Sequence, residues 1–162
     1  MNVSACDVNN RFVVFSRQMA QTIAVPGRYA VISINDNRED PQQTLADICN
    51  VRRGYTEILQ VVFDDLTPES HDPVEFPHLV VMTDAIAEEI VRFWDRCRND
   101  VDRFMIHCTA GISRSSGVGS ALARLEGNRE AEAACYVGTV PNMYVRRLID
   151  RAAARLRVGP YA

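Results

Sequence analysis

No stretch of this 162-residue chain stays apolar long enough to cross a bilayer. The opening "MNVSACDVNNRF" lacks a basic start followed by an apolar block, so no secretory leader is visible. No Lys/Arg-rich block occurs and the net charge is −3, so neither nucleic acid nor a membrane is an expected partner. Cysteine is present without a pattern: the five, at 6, 49, 97, 108 and 135, are odd in number and form no CxxC pair. That argues against a disulfide framework or a zinc site and points to a reducing cytoplasm. Internal repeats, low-complexity tracts and linkers are also missing.

What is present is a globular balance, 47% hydrophobic and 24% charged, over a length that suits one domain spanning 1–162. "RFVVFS" (11–16), "YAVISIN" (29–35), "EILQVVF" (57–63) and "RFMIH" (103–107) are short, β-branched or aromatic, and read as strands. Runs this uniformly apolar suit a sheet covered on both faces. Helical spacing follows. Over 83–97, Ile86, Ile90, Phe93, Trp94 and Cys97 form one stripe, with Thr83 as the N-cap and Trp94 in the core. Residues 115–127 form a helix of small residues stopped by Gly127. Asn128 caps a short helix through Tyr136, and 141–156 carries Val145, Leu148, Ile149, Ala152 and Leu156 on one face. Strands alternating with helices predict an α/β domain with a mostly parallel central sheet flanked by helices. Ligands of such folds bind beyond the carboxyl ends of the strands.

One junction has chemistry written into it. "HCTAGISRSSG" (107–117) runs from a strand through a loop into a helix. The loop amides of Thr109, Ala110, Gly111, Ile112 and Ser113 can converge as an anion nest at a helix N-terminus. Gly111 lets the backbone approach a ligand closely, and Arg114 brings a planar fork that matches two phosphate oxygens. A phosphate or sulfate dianion is the natural guest. The same donors favour a negative sulfur on Cys108, at the mouth of the nest, which makes it a nucleophile toward phosphorus. Ser115 is placed to hydrogen-bond that sulfur when it leaves. His107 is expected to bond loop backbone and hold Cys108 in position.

The stretch resembles HCxxGxxR[ST], the signature of cysteine-dependent protein tyrosine phosphatases, and its Ala-Gly-x-Ser-Arg-Ser form is most similar to the compact dual-specificity branch. The resemblance implies a phosphatase-like α/β domain without metal or cofactor. It implies Cys108 as nucleophile, Arg114 as phosphate clamp and Ser115 as the hydroxyl assisting the second step. It also implies an upstream general acid. "VVFDDLTPES" (61–70) resembles the family's acid loop, which gives Asp65 that role with Asp64 as the alternative. "VPNMYVRRLI" (140–149) is similar to the segment that opens the last helix of dual-specificity enzymes, with Asn142 read as a helix start. The expected substrate is a phosphorylated protein or peptide, phosphotyrosine foremost.

Other residues carry weaker expectations. The loop residues Thr109, Ala110, Ile112 and Ser113 are neutral, which disfavours a polyphosphoinositide. Arg52 and Arg53 are solvated loop charges or flank the pocket. His71 and His78 are surface residues, His78 near the acid loop. Cys49, Cys97 or Cys135 is a candidate disulfide partner for an oxidised Cys108. "VISINDNREDPQQ" offers no assignable site residue. The alternatives to a tyrosine phosphatase are a phosphate-binding pseudophosphatase, a phosphatase of a non-protein monoester and, more remotely, a sulfurtransferase.

Overall fold

The computed structural model describes residues 7–51 and 54–162, with side chains given except at 49–51. Four strands build the sheet: β1 (Phe12–Ser16), β2 (Tyr29–Asn35), β3 (Tyr55–Val62) and β4 (Arg103–Cys108). They lie in the order β1-β4-β2-β3, and every pairing is parallel. Successive side chains on a strand face opposite ways, and here both directions are apolar. Phe12, Val14, Ala30, Ile32, Ile34, Phe104 and Ile106 face one core; Val13, Phe15, Tyr29, Val31 and Met105 face a second, smaller one. β1, β2 and β4 thus show the two-sided burial that the strand sequences predict, whereas β3, at the edge, leaves Thr56 and Glu57 exposed.

The larger core is closed by α3 (Asp84–Cys97), α4 (Arg114–Leu125), α5 (Arg129–Ala134) and α6 (Met143–Leu156). Thr83 caps α3 through its hydroxyl, which accepts from the Ile86 amide at 3.3 Å. Trp94 is fully buried and donates its indole N–H to Glu126. The small-residue face of α4 lets its neighbours come close. A Cβ on Gly117 would lie 2.9 Å from the Asn142 carbonyl oxygen, and one on Gly119 3.1 Å from both Cys135 Sγ and Val14 Cγ2. Asn128 caps α5 as predicted, but α5 ends at Ala134, short of Tyr136.

Two helices escape the sequence pattern. α1 (Arg17–Thr22) is a six-residue turn on the smaller core with Ala20 its buried residue. α2 (Pro41–Val51) opens on a proline, a residue tolerated at the first helical position, and is mostly polar. Neither has enough apolar positions at helical spacing to declare itself. Among the described residues, no helix is long and apolar enough to cross a membrane.

All four strands run the same way, so their carboxyl ends share one edge. Those ends deliver Arg17, Asp36, the Asp64–Asp65 pair and Cys108 to a common neighbourhood.

Candidate active site

Cys108 closes β4, an interior strand flanked by β1 and β2, and is 2% exposed. The chain then turns through residues 109–113 and enters α4 at Arg114. Gly111 makes that turn with φ +69°. A Cβ there would stand 2.4 Å from the Ser16 nitrogen and 2.6 Å from the Phe15 carbonyl carbon, so β1 backbone occupies the space a side chain would need. Arg17 N–H donates to the Thr109 carbonyl at 3.2 Å and fastens the other side of the same contact.

The loop folds back over the sulfur. Gly111 N–H points at Cys108 Sγ from 3.3 Å, and Ser115 Oγ lies 3.1 Å from it. Ser113, the N-cap of α4, makes no side-chain bond to the first-turn amides. The positive end of the helix dipole is therefore directed at the loop without a capping hydroxyl in between. His107 Nε2 is 2.8 Å from Ser33 Oγ on β2, so the histidine ties β4 to its neighbouring strand.

Arg114 is 5% exposed. Its Nη1 donates to the Phe63 carbonyl at 2.9 Å and pairs with Asp36 Oδ1 at 2.5 Å, while Nη2 reaches Thr109 Oγ1 at 3.4 Å. Nε is buried without a hydrogen-bond partner. One corner of the guanidinium is thus held firmly, and the Nε–Nη2 edge retains donor capacity, the arrangement a bidentate oxyanion needs.

The two adjacent acids have separated. Asp64 is buried and accepts two backbone amides, Asn37 N–H at 3.3 Å and Val80 N–H at 2.7 Å. It ties together the segments around it. Asp65 is exposed, and its Oδ1 accepts from Ser113 Oγ at 2.8 Å and from Asn142 Nδ2 at 3.1 Å. Asn142 also caps α6, its Oδ1 accepting from Tyr144 and Val145. It therefore does more than start a helix: one side chain joins the α6 terminus to the acid loop.

Thr109, Ala110 and Ile112 are exposed at the loop surface, and Gly111 and Ser113 are half-buried. Sequence reasoning missed Asp36 and Glu39. Asp36 pairs with Arg114 and accepts from the Thr109 hydroxyl at 3.0 Å. Glu39 accepts from the Asp36 amide at 2.9 Å, from Thr109 Oγ1 at 3.3 Å and from Arg17 at 3.0 Å. The available signal was positional: an acid immediately after a strand that pairs with the signature strand.

The proposed disulfide partners lie elsewhere. Cys97 neighbours Glu57 at the start of β3, and burial pushes its thiol up, with Glu57 adding to the effect. Cys135 Sγ approaches the Phe12 carbonyl at the start of β1. Cys97 is thus at the amino end of the sheet, roughly 13 Å of strand from the level of Cys108, whereas Cys135 also lies against Gly119, partway along α4. Cys97 ends a helix that runs back from the site and Cys135 is packed between α4 and β1, so the structure brings neither against Cys108, which corrects the expectation for both. Cys6, Arg52, Arg53 and the Cys49 side chain lie outside the described residues. His78 is exposed, its ring against Arg38 and its carbonyl accepting from the Asn37 amide group. Among the described residues no group of three or more His, Cys, Asp or Glu is arranged to hold a metal ion.

No protein-family model and no curated protein matches the chain. Solved structures do. The active form of Tk-PTP superposes with a TM-score of 0.54 at 20% identity, covering 96% of this chain and 99% of that one. PTPMT1 in complex with PI(5)P gives a TM-score of 0.52 at 14% identity, covering 92% and 96%. The chain has the fold of the cysteine-based protein tyrosine phosphatases.

Proposed function

We propose that this chain is a phosphomonoester hydrolase that works through a phosphocysteine, with phosphotyrosine in a protein or peptide as its substrate. The observation that carries the reading is the convergence on one sulfur: Gly111 N–H at 3.3 Å, Ser115 Oγ at 3.1 Å and the N-terminus of α4 beginning with a buried arginine. In the first step the Cys108 thiolate attacks phosphorus. The phosphorus–oxygen ester bond breaks opposite the new sulfur–phosphorus bond. Asp65 gives its proton to the departing phenolic oxygen, which leaves as a neutral phenol. Arg114, through its Nε–Nη2 edge, and the loop amides hold the non-bridging oxygens while charge shifts across them.

In the second step water attacks the phosphocysteine. Asp65, now a carboxylate, takes the water's proton, the sulfur–phosphorus bond breaks, and inorganic phosphate departs. Ser115 donates a hydrogen bond to the sulfur as it regains the electron pair. Asp65 is favoured over Asp64 because the latter already serves two buried backbone amides, whereas Asp65 is exposed and held by side chains on the loop and on α6. Asp36 and Asn142 are positioning residues for Arg114 and Asp65.

PTPMT1 was solved with PI(5)P, so a phosphoinositide is the competing substrate. The neutral loop side chains and the acids Asp36 and Glu39 beside it favour a single phosphate without further anionic neighbours. The test is turnover of phenyl phosphate by the wild type and by Cys108→Ser. Loss of about 10³-fold or more is expected, with phosphocysteine trapped from the wild type by rapid acid quench. Equal rates would sink the mechanism.

A further inference from the structure

The mouth of the site has two unlike walls. On the side of β1 and β2 it is polar: Arg17, Asp36, Glu39 and Thr109 form one hydrogen-bonded chain. On the side of α5 and α6 it is apolar. Of the eight large hydrophobic side chains exposed among the described residues, three (Ile112, Val140 and Met143) sit on the loop or next to the residues bonded to it. They are fixed to the loop. Val140 N–H donates to the Ile112 carbonyl at 3.0 Å and Asn142 N–H to the Ser113 carbonyl at 3.0 Å. Val140 is 72% exposed and Met143 50%. Scattered exposed hydrophobics need no explanation, but a contiguous group at the rim of a polar cleft marks a binding surface.

The position of Asp65 decides what this wall faces. A leaving oxygen protonated by Asp65 must lie within hydrogen-bond reach of it. Asp65 is held by Ser113 and Asn142. Ile112 adjoins Ser113 and Met143 adjoins Asn142 in the chain. The organic group attached to that oxygen therefore emerges on the apolar side, away from Asp36 and Glu39.

We infer that Ile112, Val140 and Met143 form a docking strip for the residues next to phosphotyrosine, selecting a peptide with large apolar side chains flanking the phosphorylated position. This rests on the phosphatase reading above. A peptide is favoured over a membrane by charge. All 18 cationic side chains in the sequence are arginine, with no lysine, and the described arginines around the mouth each face an acid or a ring. Arg17 faces Glu39 and Asp47, Arg114 faces Asp36, Arg38 faces the His78 ring, and the exposed Arg147, one turn beyond Met143, acts on Glu69. An anionic leaflet attracts juxtaposed free cations, and the strip presents apolar groups with Asp65 beside them.

The experiment measures kcat/KM for two phosphotyrosine peptides of equal length, one flanked by leucine and one by aspartate. Phenyl phosphate and vesicles carrying 5% phosphatidylinositol monophosphate are run alongside (about one lipid in twenty, a typical minor-lipid loading). The wild type is expected to prefer the leucine-flanked peptide by about tenfold, and Val140→Ser/Met143→Gln to bring that ratio close to one. A wild type that hydrolyses phenyl phosphate but treats the two peptides alike overturns the inference and leaves the phosphatase reading standing. So does a ratio that survives the double substitution. Higher kcat/KM on vesicles than on the leucine-flanked peptide overturns it in favour of a lipid. A wild type inactive on every substrate overturns both readings.

Discussion

Arg11 and Arg114 sit at opposite ends of the sheet, one just before β1 and the other just after β4. Arg11 is saturated. Its Nε and Nη2 grip the Glu126 carboxylate at 3.0 and 2.8 Å, its Nη1 and Nη2 donate to the Val101 and Arg98 carbonyls, and its plane lies 5.1 Å from the Phe104 ring centroid. Arg114 is the more deeply buried of the two, yet it keeps Nε without a partner. A buried donor left unmade costs about 1–3 kcal/mol. Arg103, at the amino end of β4, also has a buried Nε without a partner, so an open donor alone does not single out Arg114; its place beside Cys108 at the carboxyl end does.

The comparison can be broken in graded steps. The largest effect is expected at Asp65. Asp65→Asn should lower kcat for phenyl phosphate by about 10²–10⁴-fold, and much less for an ester whose leaving group needs no proton. Asp64→Asn should instead lower the urea midpoint of unfolding, since it weakens two buried amide contacts. If the two variants exchange these phenotypes, the acids are assigned the wrong way round. Next comes Glu126→Gln. It removes the charge from the bidentate grip on Arg11 and should cost about 1–3 kcal/mol by denaturation, with kcat per folded molecule unchanged. A large kcat loss there would mean the two ends are not independent.

Asp36→Asn is expected to be milder for stability and to act on phosphate binding. With its ion pair weakened, Arg114 loses one of the two acceptors on Nη1. KM for phenyl phosphate should change by about tenfold while kcat moves by less, and Asp36→Glu should restore part of it. The smallest effect is far from the site. Arg151 and Arg155 hold the Asp84 carboxyl below its ordinary value of 3.8. Because that value is depressed in the folded state, the contribution is present above about pH 3.8 and disappears as pH falls through the folded value. Asp84→Asn should therefore differ slightly from wild type in urea midpoint at pH 7 and converge with it in acid.

The sequence was most informative where burial and period coincide. β2 occupies the predicted 29–35, because every residue in it is buried and its ends are polar. Thr83 and Asn128 were legible as caps since their side chains have one obvious use. The loop at 108–114 was legible because a cysteine, a positive-φ glycine and an arginine at a strand-to-helix junction leave few other readings. α1 and α2 were not, being short or polar. Asp36 was invisible for a different reason. Its partner, Arg114, lies 78 positions further along the chain and meets it because β4 inserts between β1 and β2. Pairing order is a long-range property that local pattern does not encode. The Cys97 and Cys135 expectation failed on the same ground: residue type named them, but the fold buried Cys97 at the amino end of the sheet and Cys135 between α4 and β1.

The contact at Gly111 has a consequence for the first strand. Backbone of Phe15 and Ser16 fills the volume a side chain on Gly111 would need, and the Arg17 amide latches the Thr109 carbonyl. β1 is an edge strand, joined to the sheet through β4 alone. It therefore serves as a clasp for the cradle. Anything that peeled this strand away, a competing chain or a proteolytic nick just after it, would unfasten the loop from behind and disturb Cys108 without touching any of the side chains proposed to meet a phosphate.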